Sequence, residues 1–224
     1  MKDIISNLTP DSELIYNLIS INGVMTTTQA EDILKGYFEN INANIQTGIV
    51  DGKYKKKKAY TPDTCVNILK RLCLSRRIKT IDEKYHIPFY KKDLDTRKIP
   101  SLWVLLDLAT NEYGCDPKFL EQVTEGNGII DISYIQDEKI VVNLVYVLPN
   151  DKSKVIATRQ RFYDYTGCAK GEEMDQSIAY VYVTESLEAA DMVASERLPF
   201  RHQIALVEGN LTGHPTIKYM QGDV

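Results

Sequence analysis

The sequence predicts an α+β chain: a winged helix-turn-helix in residues 1–90, a linker over 91–100, and an α/β domain with a mixed central sheet in 101–224. Three observations carry that prediction. Between Lys53 and Lys79 stand ten Lys or Arg residues and a single acid, Asp63. Apolar residues at helical spacing, each set with its own start signal, recur three times before residue 75 and then give way to alternation. Beyond residue 128, apolar runs of strand length alternate with amphipathic stretches of helical length.

The first helix opens at Thr9-Pro10-Asp11, which supplies a capping hydroxyl, a proline at the first helical position and an acid at the positive end of the helix dipole. Leu14, Ile15, Leu18 and Ile19 give it one apolar face, and Asn22-Gly23 ends it with residues that tolerate a left-handed backbone. Thr28-Gln29-Ala30-Glu31 reads as a capping box for a second helix with Ala30, Ile33, Leu34 and Tyr37 on one side. The small Ala30 lets another helix approach closely.

A third helix starts at Thr61-Pro62-Asp63-Thr64 and buries Cys65, Ile68, Leu69 and Leu72. After Ser75-Arg76-Arg77 the pattern alternates through Ile78, Thr80, Tyr85 and Ile87 around a turn at Asp82-Glu83-Lys84. Three helices followed by a hairpin is the order of a winged helix.

Opposite the apolar face of the third helix lie Asn67, Lys70 and Arg71, with Thr64 near the helix start, where recognition side chains meet base edges. Arg76, Arg77 and Lys79 continue the positive charge into the hairpin. The run Lys53, Lys55, Lys56, Lys57 and Lys58 is placed to meet phosphates. Double-stranded DNA is therefore the expected partner, against the plainer reading of a solvated helix face behind a lysine-rich loop. Two features weaken the winged-helix assignment: the connection from Asn40 to Tyr60 is long for a compact helix-turn-helix, although its lysines stay free to reach DNA, and the hairpin tip carries Asp82 and Glu83, which disfavour contact with phosphate.

Residues 91–100 are charged and end in a proline, as a linker would. Leu102 to Ala109, around Trp103, is a short apolar helix or strand. Ile129 to Ile135 and Ile140 to Leu148 read as a hairpin about a turn at 136–139, Ser153 to Tyr165 as a helix, and Ile178 to Val183 as a buried strand. Leu187 to Leu198 follows as a helix, Gln203 to Val207 as a strand and Thr216 to Met220 as an edge strand.

Charge divides the halves. Residues 1–100 hold 17 Lys or Arg against 12 acids, a balance of +5, which leaves 10 against 19, a balance of −9, for the remainder. The second half would be repelled by a nucleic-acid backbone that attracts the first. Cys65, Cys73, Cys115 and Cys168 stand at no metal-ligand spacing and are expected as reduced thiols. No apolar stretch has the length of a membrane span and MKDIISNLTPD lacks a signal-peptide core, so a cytoplasmic location without membrane attachment is expected.

With Thr27-Thr28-Gln29-Ala30 opening the second helix, this order of elements resembles the replication-relaxation type proteins of bacterial plasmids and conjugative elements. The resemblance implies a second domain of the restriction-endonuclease type. Such a site needs an acid on the first hairpin strand and an acid-any-Lys triplet on the second, to bind a metal and steady a water. Asp131 could supply the first acid, but Val142-Asn143-Leu144-Val145-Tyr146 holds neither carboxylate nor lysine. Asp137-Glu138-Lys139 falls at the turn, too far along the hairpin to face Asp131.

Other chemistry is sparser. His86, His202 and His214 are scattered, Gly126-Asn127-Gly128 lacks the lysine and helix of a phosphate loop, and Tyr163 and Tyr165 have no histidine cluster beside them. The expectation is a non-enzymatic DNA-binding accessory or regulatory protein with no cofactor or metal. Its acidic domain would hold a protein partner or form a homodimer. The alternatives are a metal-dependent nuclease with a displaced site and a winged-helix protein-interaction module.

Overall fold

The structure, a computed structural model, describes residues 8–46, 59–113, 123–136, 140–166 and 178–221. Within them lie six α-helices, a three-stranded antiparallel sheet and a six-stranded mixed sheet.

Helix α1 (Pro10–Asn22) begins after Thr9, whose hydroxyl lies 2.8 Å from that of Ser12. It ends at Gly23, at φ 85°, whose N–H donates to the Ile19 carbonyl at 2.7 Å. Glycine suits the left-handed backbone there, and the space a Cβ would enter is taken by Lys91 Nζ, the end of a flexible side chain that can move aside. Strand β1 (Met25–Thr26) leads directly into α2 (Thr27–Gln46). The α2 capping box is formed by Thr26 and Gln29, not by Thr28 and Glu31. The Gln29 N–H donates to the Thr26 hydroxyl at 3.1 Å, and the Thr26 N–H donates back to Gln29 Oε1 at 2.9 Å. Three successive threonines offer three frames, and glutamine serves as well as glutamate at the third helical position.

Helix α3 (Pro62–Leu74) is followed by β2 (Ile78–Ile81) and β3 (Tyr85–Pro88). Asp82 and Glu83, at φ 48° and 57°, form the two-residue turn whose twist suits a tight hairpin, closed by the Lys84 N–H on the Ile81 carbonyl at 3.2 Å. β3 lies between β1 and β2. The buried His86 ring joins this sheet to α2: Nε2 lies 3.0 Å from the Thr27 hydroxyl and Nδ1 3.1 Å from that of Thr80. Burial pushes its pKa down to about 4, so at neutral pH the ring is uncharged and has one donor and one acceptor for its two hydroxyl partners.

A short 3₁₀ turn (Thr96–Lys98) runs into α4 (Ile99–Tyr113). The segment expected as a linker over 91–100 thus ends inside a helix, because a proline in the first turn removes only an N–H that has no intrahelical partner. The apolar run around Trp103 is helix rather than strand. Then come β4 (Thr124–Glu125), β5 (Ile132–Gln136), β6 (Ile140–Tyr146), α5 (Ser153–Thr166), β7 (Ile178–Thr184), α6 (Leu187–Ala194), β8 (Arg201–Glu208) and β9 (Thr216–Gln221).

The large sheet runs β4-β5-β6-β7-β8-β9, with β6, β7 and β8 parallel and the other neighbours antiparallel. β5 starts later than expected, since Ile129, Ile130 and Asp131 belong to the approach to the strand. α6 stops at Ala194 instead of reaching Leu198. The turn at 137–139 lies outside the described residues, as do Cys115, Cys168 and the tip of the α2–α3 connection.

Alternation along the strands divides the sheet between two cores. Tyr134, Val142, Leu144, Val181, Val183 and Ala205 face α4. Val145, Tyr180, Tyr182 and Ile204 face Val155 and Phe162 of α5 and Ala190 and Val193 of α6. The first core does not stop at the sheet. Through Ile99, Leu102, Val104, Leu105 and Ala109 of α4 it continues into the apolar faces of α1, α2 and α3. Leu105, with no exposed surface, sits in this shared layer. Leu105→Ala is expected to lower stability by roughly 2–5 kcal/mol and to leave one unfolding transition for both halves. Two transitions in chemical denaturation followed by Trp103 fluorescence and far-UV dichroism, only one of them shifted, would show the halves to be independent.

Candidate nucleic-acid interface

Helix α3 separates its residues cleanly. Cys65, Ile68, Leu69 and Leu72 are buried against α1 and α2, while Asn67, Lys70 and Arg71 are exposed. The Cys65 thiol is pushed up to about 12 by burial, with Glu31 adding to the effect, and is inert at neutral pH. Thr64 stands at the helix start but is committed there: the Thr61 N–H donates to its hydroxyl at 3.1 Å and the Thr61 hydroxyl lies 3.0 Å away. Reaching a base edge would open that cap. Lys53, Lys55, Lys56, Lys57 and Lys58 lie outside the described residues.

The C-terminus of α3 is held by backbone bonds that force an arginine into an unusual conformation. The Arg76 N–H donates to the Cys73 carbonyl and the Arg77 N–H to the Leu72 carbonyl, both at 3.0 Å. These two bonds form a Schellman motif, and its left-handed position is occupied by Arg76 at φ 54°. Glycine is the usual residue there, since a Cβ costs about 1–2 kcal/mol in that region. Arg76 is exposed, so its side chain returns no burial in exchange. Arg77 is half-buried, its guanidinium 5.3 Å from the Tyr16 ring centre, and does not extend the exposed face of α3. Lys79 is half-buried on β2.

Sequence reasoning passed over Phe89 and Tyr90, which are exposed directly beyond β3. The signal available was an aromatic pair beside Lys91 and Lys92, but the prolines and charges of that stretch read as a domain edge.

Elsewhere Asp131 is buried and engaged. It accepts from the Tyr146 N–H at 2.6 Å and the Ser101 hydroxyl at 3.3 Å, and lies 3.6 Å from Lys154 Nζ. It therefore ties β6, α4 and α5 together at the entrance to β5. An open groove of about 490 Å³ beside β4 is lined by Ile130, Ser133, Asn143, Arg161 and Tyr180, and Ser133 donates to Asn143 Oδ1 at 2.7 Å. His202 lies 3.1 Å from the Phe200 carbonyl, and His214 is 3.2 Å from Asp32. Among the described residues no group of three or more His, Cys, Asp or Glu is placed to hold a metal ion, and no helix is long and apolar enough to cross a membrane.

No family model, curated protein or solved structure matches this chain.

Arg76→Gly is expected to raise stability by about 0.5–1 kcal/mol, because it relieves the left-handed strain. Urea denaturation measures this, and a loss of stability would mean that the Arg76 side chain contributes contacts absent from this geometry.

Proposed function

We propose that the chain is a non-enzymatic DNA-binding accessory or regulatory protein of a mobile genetic element, acting in the control of replication, transfer or transcription. α1, α2, α3 and the β2–β3 hairpin act as a winged helix with α3 as its recognition helix. The observation that carries this reading is the division of α3 into a face that anchors it and a face with Asn67, Lys70 and Arg71 in water. Asn can pair bidentately with adenine and Arg with guanine in a major groove, while Lys meets phosphate or guanine. The sheet order β1-β3-β2 supports the winged-helix reading, since β1 pairs with β3, the second strand of the hairpin, as the strand ahead of the last two helices would in such a unit.

The second half is read as a degenerate restriction-endonuclease-type domain, supported by the β4-β5-β6 meander, α5 and β7 between two helical layers. Its role here is structural and assembling. Asp131 is already engaged by a backbone N–H, a hydroxyl and a lysine, which supports a scaffold role over metal binding. β9, paired with β8 along one side, supports a homodimer formed through the edge of the sheet.

Full-length protein titrated against labelled duplex DNA tests the reading. With about four to six phosphates neutralised, affinity should fall roughly 10²- to 10³-fold between about 50 and 200 mM salt. Lys70→Ala with Arg71→Ala should weaken binding and flatten the salt slope by about two without changing the unfolding midpoint. Unchanged affinity in that double variant would remove α3 from the interface. Supercoiled plasmid held with the protein and magnesium or manganese should stay intact; nicking abolished by Asp131→Asn would make the chain a nuclease.

A further inference from the structure

We infer that the root of the β2–β3 hairpin is a stacking platform for unpaired nucleobases, so that the DNA this chain takes is a duplex continuing into a single strand. The inference rests on the DNA reading of α3 and adds a second contact to it.

Phe89 and Tyr90 are the two central residues of a turn closed by the Lys91 N–H on the Pro88 carbonyl at 3.0 Å. They are 47% and 71% exposed, among the largest apolar exposures in the described residues, and Leu74 at the end of α3 is 85% exposed. The turn is not loosely placed: the Phe89 N–H donates to the Arg77 carbonyl at 2.9 Å. The aromatic turn is thereby fastened beside the arginine pair that ends α3.

Register sets the surrounding charge. Ile78 pairs with Pro88 and Ile81 with Tyr85, so Phe89 and Tyr90 sit at the hairpin root. Asp82 and Glu83 sit at the tip, roughly 10–13 Å away along four residues of strand. Arg76 and Lys92 at the root are exposed. Lys91 turns inward, its Nζ against Gly23 at the C-terminus of α1, where a cation offsets the helix dipole. Asp93 is the exposed acid nearest in sequence.

Exposed rings beside arginine and lysine fit a polyanion that carries flat apolar faces. An apolar peptide would leave the cations unmatched, and a continuous duplex keeps its base faces hidden in the stack. Unpaired bases supply both the π-face and the phosphate. The strained Arg76 also acquires a reason, since glycine at that position would remove a cation from the platform.

The test uses the full chain and three probes: a blunt duplex, the same duplex with a single-stranded thymidine tail, and the tail alone. Two stacked bases should tighten binding of the tailed duplex roughly thirtyfold or more over the blunt one. Phe89→Ala with Tyr90→Ala should abolish that gain and leave blunt-duplex affinity unchanged. Tyr90→Ala alone, at the more exposed position, should abolish part of it. Ultraviolet cross-linking of a bromouridine tail should map to Phe89 or Tyr90.

Equal affinity of the wild type for blunt and tailed duplexes overturns the platform and leaves the α3 reading standing. Binding of none of the probes overturns both. If the double variant keeps the gain from the tail but changes sedimentation from dimer to monomer, the turn is a protein contact and the platform is wrong.

Discussion

Everything else in this fold depends on the burial of residues 99–109 of α4, of which Asp107 alone is not buried. Ile99, Leu102, Val104, Leu105 and Ala109 have almost no exposed surface, and Trp103, Leu106 and Leu108 little more. A surface helix keeps a polar stripe; one that is apolar all round must be enclosed. Here the enclosure comes from the N-terminal helices on one side and the large sheet on the other. Neither half could cover α4 alone, so the two share a core.

Polar contacts then set the angle between the halves. Asn22 donates to the Lys98 carbonyl at 3.0 Å, Gln29 to the Ile99 carbonyl at 3.0 Å, and Trp103 Nε1 to the Leu211 carbonyl at 2.9 Å. Thr28 reaches the Thr212 carbonyl at 2.7 Å. The hydroxyl freed from the α2 cap thus serves the contact with the β8–β9 loop. The exposed face of α3 and the large sheet are thereby held in a fixed relation to each other.

Much of this was legible in the sequence because local chemistry decides it. The start of α3, the left-handed stop at Gly23 and the faces of α1 to α3 follow from capping, glycine and helical spacing, while α1 begins at the expected Pro10 with the Thr9 hydroxyl on Ser12 and not on a backbone N–H. The strands β6, β7, β8 and β9 follow from apolar runs between turns. Illegible features were those settled by distant residues. Thr26 became the α2 cap because β1 delivers it there, and the run at Trp103 became helix because two layers cover it. Nor does a sequence say whether a polar group is already committed. Thr64 and Arg77 read as free to contact DNA, yet the first is engaged in its cap and the second lies over Tyr16. Phe89 and Tyr90 drew no reading from the sequence, and the turn closed by Lys91 places both rings outside.

The central claim is that DNA meets the exposed face of α3. The most direct measurement is magnetic resonance of isotopically labelled full-length protein titrated with duplex DNA at low salt. The Asn67 side-chain amide and the Arg71 guanidinium Nε should shift with bound DNA, together with the backbone amides of 67–71, while Arg201 and the β9 amides stay unmoved. Shifts confined to β8 and β9, with Asn67 and Arg71 unchanged in the presence of saturating duplex, would contradict it.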